Sequence, residues 1–272
     1  MAPLKDKTIF VTGGSRGIGR AIALKFAADG ARIVIAAKTS DPHASLPGTI
    51  HTVADEIRQA GGEALALQLD TRDDAAIQRA IEKTVETFGG LDILVNNASA
   101  ISPTGILDTP IKRYDLLQSV NTRGTYLCAY HALPHLRAST NPHILSLSPP
   151  ISTDPKWYGR FLAYAISKYG MSMCTLGLAE EFRKDGIAAN SLWPRTMIAT
   201  DAVRVHYPED YRRSRSPAIM ADAAYLIVTK DSRSFTGHCL IDDEFMKAEG
   251  FSDLSDYAVD PTVELAPDIL ID

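Results

Sequence analysis

Cysteine is scarce in this chain: Cys128, Cys174 and Cys239 are the only three in 272 residues. They are scattered, odd in number and form no Cys-x-x-Cys pair, which excludes a disulfide framework and a thiol-based metal or redox motif. They read as small buried hydrophobes in a reducing compartment, and no metal is expected. No apolar run approaches the roughly 20 residues that span a bilayer. Positive charge is also short: 28 Lys and Arg stand against 33 Asp and Glu, a net charge of −5. That leaves no global basic footprint for nucleic acid or for an anionic membrane surface. The first residues, MAPLKDKTIFVTGG, lead straight into a strand pattern without a secretory apolar region, so a cytoplasmic location is expected. Core-forming material is abundant, with 45% hydrophobic against 22% charged residues. That is the balance of a folded globular chain.

Apolar, β-branched runs recur at 7–12, 32–37, 63–69, 91–96, 143–148, 187–193 and 237–242. Between them lie stripes at helical spacing, such as Ile18, Ile22 and Phe26, or Ile77, Ile81 and Val85 with Phe88. Alternating strands and helices imply βαβ crossovers. The expected fold is α/β: a single Rossmann-type, doubly wound domain over 1–272, with a seven-stranded parallel sheet and helices on both faces. Residues 39–48, TSDPHASLPG, read as a loop. Residues 245–272 read as a C-terminal extension over the surface.

The run VTGGSRGIGRA follows the first strand and opens the first helix. Gly13, Gly17 and Gly19 let the backbone turn tightly and approach a pyrophosphate, which the helix N-terminus attracts; Ser15, Arg16 and Ile18 belong to the same loop. An ordinary glycine-rich turn is the competing reading, and the strand before and helix after weigh against it. The spacing T-G-x-x-x-G-x-G resembles the short-chain dehydrogenase/reductase family, and later motifs agree. NNAS at 96–99 is similar to that family's N-N-A-G. The combination of VIAAK, NNASAIS, VNTRGTY, SPP and YGMSM resembles its hydroxysteroid-dehydrogenase-like branch over nearly the whole chain. Longer members of that branch carry a sterol-carrier domain, which is not expected here.

The resemblance implies a nicotinamide cofactor. An acid ending the second strand would select NAD, but Ala37 stands there and Lys38 follows, with Arg16 in reach of the same phosphate. Two cations and no acid point to NADP(H). Asp70 is expected at the adenine amino group. Asn97, Ala98 and Ser99 are expected to line the cofactor, with Asn96 structural. Beyond the sixth strand, Pro194 matches the family, Ile198 would hold the nicotinamide amide and Thr200 the pyrophosphate. Arg195 has two readings, an anion-binding group or an arginine paired with a helix.

Tyr164 and Lys168 are four apart on a helical stretch and so share a face. A lysine ammonium favours tyrosinate and can bond the nicotinamide ribose, which suits the phenol to give a proton to a carbonyl. The resemblance places Asn121 in a proton relay with Lys168. The family's carbonyl-orienting serine is replaced by Pro149 when the strand is taken as the anchor. Ser148 is the expected substitute despite its unfavourable strand parity, with Ser152 as the rival. Residues 201–217 are expected to form a substrate lid whose arginines attract an anionic tail. Trp157, Tyr158 and Phe161 either wall the site or pack on the sheet. The expected activity is NADP(H)-dependent hydride transfer between nicotinamide and a carbonyl or secondary alcohol of a small molecule left open by the sequence, lipid-like compounds included. The expected assembly is a homodimer or homotetramer. An enoyl-thioester reductase and a non-catalytic NADP-binding sensor or scaffold are the alternatives.

Overall fold

A computed structural model describes residues 2–42 and 48–271. The loop read at 39–48 falls partly on 43–47, and residue 272 ends the expected extension; these, like residue 1, lie outside the described residues. The strands are β1 (Thr8–Thr12), β2 (Arg32–Ala37), β3 (Glu63–Gln68), β4 (Ile93–Asn96), β5 (His143–Ser146), β6 (Ala188–Trp193) and β7 (Cys239–Ile241). They form one parallel sheet in the order β3-β2-β1-β4-β5-β6-β7. The order reverses between β1 and β4, and such a switch point opens a crevice at the carboxyl ends of the strands.

Helices α1 (Gly17–Ala28), α2 (Ile50–Gln59) and α8 (Ala218–Val228) contribute to the core on one face, around Ile22, Phe26, Val53 and Ile227. On the other face α3 (Asp74–Phe88), α5 (Gly124–Leu136) and α6 (Pro155–Glu181) pack around Phe10, Ile77, Ile81 and Leu136. Both faces of the inner strands are therefore apolar, which is why those strands read as continuous rather than alternating hydrophobic runs. Local chemistry sets the ends. Asp73 caps α3 by accepting from the Ala76 N–H at 3.0 Å, and Gly89, at φ 82°, stops it. Asp154 caps α6 ahead of Pro155, and that helix breaks at Phe161 (φ −142°, ψ 44°). Between α4 (Ile111–Leu117) and α5 runs a π-helical turn, Gln118–Arg123, which carries Asn121.

The expectation for residues 245–272 needs correction. Helix α9 (Asp242–Ala248) takes the first of them. After a short turn at Ser255–Tyr257, the tail runs back into the molecule beside residues 195–198. The Met197 N–H donates to the Ala266 carbonyl (2.9 Å) and the Asp268 N–H to the Arg195 carbonyl (3.0 Å). The Trp193 indole N–H donates to the Ile269 carbonyl at 3.0 Å. Leu270 and Ile271 are buried, and Leu270 packs in a cluster with Leu117, Trp157 and Phe161. Leu270 reaches that place at φ 67°, a left-handed conformation unfavourable for a side chain of its size. Burial of the apolar residues opposes that cost.

Candidate active site

The crevice holds a cavity of about 540 Å³. Gly13, Ser15, Arg16, Gly17 and Ile18 form its floor near the start of α1, and Lys38 and Asp70 stand at the ends of β2 and β3. Asn97, Ala98 and Ser99 follow from β4, and Pro194, Ile198 and Thr200 close the far side. Tyr164 and Lys168 face the same space from α6. Of the sequence-predicted cofactor residues only Gly19 is outside the lining; it is buried behind the loop against Asn97.

The loop is a cradle that side chains would fill. Gly13 takes φ 66°, and a Cβ there would sit 2.8 Å from the Asn97 amide nitrogen. Gly17 takes φ 54°, and a Cβ would meet Thr200 at 3.2 Å. The Asn97 side chain donates to the carbonyls of Thr12 (2.9 Å) and Gly13 (3.0 Å), so besides lining the cavity it ties the loop to β1. Arg16 donates to the Thr39 hydroxyl at 3.0 Å and to the Gly48 carbonyl at 3.4 Å. The Lys38 ammonium is 3.4 Å from Asp70, which Arg72 also binds at 2.6 Å. Hydrogen bonds from Arg72 chiefly hold the Asp70 carboxyl well below the usual carboxylate range. An open glycine floor beneath a helix start, with two cations beside it, fits the phosphates of a dinucleotide.

Tyr164 and Lys168 are 4% and 3% exposed, so their chemistry is set by enclosure. Burial first, then Asp268 and Tyr207, pushes the Tyr164 phenol well above its ordinary value. Burial lowers Lys168 to about 7, with Asp268 pulling the other way. The expected lysine-driven depression of the tyrosine is therefore not what these surroundings produce. The Lys168 ammonium donates to the Leu147 carbonyl at 2.9 Å and lies 5.0 Å from the centroid of the Trp193 ring. Asn121 is completely buried outside the cavity lining. Its carbonyl oxygen accepts from the Ala100 N–H (2.7 Å), and its amide donates to the Ala100 carbonyl and the Ser167 hydroxyl (both 2.9 Å). That side chain fixes the segment after β4 against α6.

Ser148 is not brought to the site. Its hydroxyl is fully buried without a hydrogen-bond partner among the described residues, and the cavity wall passes from Leu147 to Tyr164. Ser148 lies just past the end of β5, where its N–H turns back to the Ser146 carbonyl at 3.0 Å while Leu147 lines the cavity. Ser152 also stays outside, its hydroxyl accepting from the Asp154 N–H at 3.1 Å. Arg195 follows the helix-paired reading, bonding Glu244 and lying 3.5 Å from Asp243. The arginines of 201–217 are likewise engaged: Arg204 with Tyr211, Arg212 with Asp260, Arg213 with Asp210 and Arg215 with Asp243. They do not form the free basic cluster expected. Within that segment α7 (Asp201–His206) begins at Thr200, and Ala202, Val203 and Tyr207 do line the cavity. Trp157, Tyr158 and Phe161 pack around Tyr169 and Leu270 and stay out of the lining.

Trp193 and Asp268 also line the cavity, and neither was among the residues expected there. Trp193 ends β6, so the strand-end rule for ligand sites was a usable signal. Nothing local marked Asp268, whose position depends on the tail folding back.

The sequence model described as "short chain dehydrogenase" matches residues 7–210. The chain is 56% identical over 266 residues to Hydroxysteroid dehydrogenase-like protein 2 of Danio rerio, a match covering 97% of this chain and 64% of that protein. It thus spans less than two thirds of the length of that curated relative. A solved short chain dehydrogenase of Mycobacterium thermoresistibile is 49% identical with a TM-score of 0.94, covering 99% of this chain and 96% of the other. A Burkholderia cenocepacia short chain dehydrogenase solved in complex with NADP is 31% identical with a TM-score of 0.75, covering 88% and 97%.

Proposed function

The chain belongs to the short-chain dehydrogenase family, and on that premise we propose that it is an NADP(H)-dependent reductase of a carbonyl in an apolar, lipid-like molecule. The observation that carries this reading is one cavity shared by Tyr164 and Lys168 at one end and Arg16 and Lys38 at the other. Arg16 and Lys38 would hold the 2′-phosphate, the glycine floor and Thr200 the pyrophosphate, and Lys168 the nicotinamide ribose. When bound, the cofactor supplies the hydride for reduction. Leu147, Met197, Val203 and Ile269 give the remaining wall an apolar character, which supports an apolar substrate.

Tyr164 is the acid. Burial favours the neutral phenol, the form that gives its proton to the carbonyl oxygen as the carbon gains hydride. Lys168, which burial brings down to about 7, stabilises the tyrosinate left behind and can return the proton. A neutral phenol suits reduction better than alcohol oxidation, where a base must stand ready. The free thiols at Cys128, Cys174 and Cys239 support a reducing, cytoplasmic setting. Exposed Tyr126 and Tyr130 on α5 and Met173 and Leu176 on α6 support a homodimer or homotetramer across those helices.

The test is NADPH oxidation with phenanthrenequinone and decanal. Tyr164→Phe should lower turnover by about 10²–10⁴ while fluorescence titration shows NADPH binding intact. A Tyr164→Phe protein that keeps most of the wild-type rate would overturn the assignment.

A further inference from the structure

The site as built has a proton donor in Tyr164 but no strand-borne hydroxyl beside it. Pro149 takes the serine position of the family, Ser148 is turned away, and the Ser152 hydroxyl accepts from the Asp154 N–H outside the cavity. A different segment delivers a group to this region. The tail pairs with residues 195–197 through Thr196 and Pro267, and the Asp268 N–H is bonded to the Arg195 carbonyl. The next residue is held by the Trp193 indole, and Leu270 anchors the end in the core. Asp268 is thus fixed from both sides, and it lines the cavity together with Tyr164, Lys168 and Tyr207.

We propose that Asp268 is a catalytic residue whose carboxylic O–H donates a second hydrogen bond to the substrate carbonyl oxygen, beside Tyr164. The proposal rests on the reductase reading above. In the balanced step, hydride forms the new C–H bond and the carbonyl π pair moves to oxygen. The Tyr164 proton then forms the new O–H bond. Asp268 keeps its proton throughout and only shares it with the oxygen as charge develops there. A neutral acid fits this place for an electrostatic reason. Tyr164 becomes anionic during the step, and a carboxylate facing it would oppose that charge.

The groups facing Asp268 are consistent with the acid form. From α6 come Tyr164 and Lys168, from the end of α7 Tyr207, and from the start of α9 Asp242. Arg195, on the paired segment, sends its guanidinium to Asp243 and Glu244. Burial drives Asp268 well above the usual carboxylate range, Asp242 adds to this, and only the Ile269 N–H and Lys168 oppose it. Asp268 is half-buried on the cavity wall, and a carboxyl kept protonated as a hydrogen-bond donor beside a tyrosine has precedent in ketosteroid isomerase. Tyr207 is the rival donor, since its hydroxyl is buried without a hydrogen-bond partner among the described residues.

Two measurements test the proposal. The first is the infrared difference spectrum between wild type and Asp268→Asn, both saturated with NADP. It should show a protonated-carboxyl band at neutral pH, and a carboxylate signal alone overturns the proposal. The second is kcat with NADPH and phenanthrenequinone or decanal. Asp268→Ala should lose about 10²–10³-fold, the usual effect of removing one such donor. Asp268→Asn, whose amide still donates, should retain most of the rate, and its kcat should lose any ionisation that Asp268 contributes to the wild-type pH profile. NADPH titration verifies that each variant folds. Equal losses in Ala and Asn, or a loss in Tyr207→Phe with Asp268→Ala unaffected, overturn the role of Asp268 and leave the reductase standing. Absence of turnover by wild type refutes the reductase itself, and the infrared band then still reports the protonation of Asp268.

Discussion

Discrimination between NADPH and NADH should rest more on Arg16 than on Lys38, although the sequence presents them as equals. Arg16 is half-buried, and its guanidinium is already held by the Thr39 hydroxyl and the Gly48 carbonyl. It therefore loses little freedom when a phosphate arrives, and a charge-assisted bond of this kind is worth about 1.5–3 kcal/mol. At about 1.4 kcal/mol per decade that is roughly 10–150-fold in affinity. The Lys38 side chain is 62% exposed and lies 3.4 Å from Asp70. To meet the phosphate it must leave that carboxylate, and exposed ion pairs are worth about 0–1 kcal/mol, or at most about fivefold. Cofactor fluorescence titrations on Arg16→Ala and Lys38→Ala give the affinity ratio directly, and the ratio cancels any general damage to the loop. Arg16→Ala should collapse the preference and Lys38→Ala should blunt it. Ala37→Asp should raise NADH affinity by offering an acceptor to the ribose 2′-hydroxyl. An unchanged ratio in Arg16→Ala, or a larger effect from Lys38→Ala, would refute the reasoning.

Ser148→Ala should leave turnover near wild type and raise the melting temperature slightly, because it removes a buried hydroxyl that has no partner; a rate loss of about 10²-fold would restore the serine to the mechanism. His143 is buried in β5, and burial lowers its pKa from 6.5 to about 4. The unfolded chain therefore takes up the proton first, so its contribution to stability is intact above pH 6.5 and is lost as pH falls towards 4. The loss amounts to about 3 kcal/mol. Denaturant melts of wild type and His143→Gln at pH 7 and pH 4.5 should show the smaller pH-dependent drop in the variant; parallel drops would exclude His143 as the source.

The legible parts of this molecule are those where a local period meets a short-range rule. The strand runs gave all seven strands because βαβ units with both faces covered need continuous apolar segments, and the glycine spacing gave the loop because only small residues clear Asn97 and Thr200. Ser148 adjoins the missing serine in sequence, but the chain turns at Ser148 onto Ser146, and nearness along the chain does not carry the direction of a side chain past a strand end. Two arginines of the lid, Arg212 and Arg215, looked available because their partners, Asp260 and Asp243, lie 48 and 28 residues further on. Residues 266–271 are shorter than the windows in which periodicity can be read. Their fold-back depends on pairing with 195–197 and on the pocket around Leu117 and Trp157, neither of which is encoded near them. A tail fixed only by tertiary contacts can still place a side chain as firmly as a helix does, provided it is tied on both sides, as Asp268 is by Arg195 and Trp193. Loss of the serine from the strand therefore need not mean loss of the second hydrogen bond. The chemistry requires a donor at the carbonyl oxygen, and the sheet is only one of the elements that can bring it there.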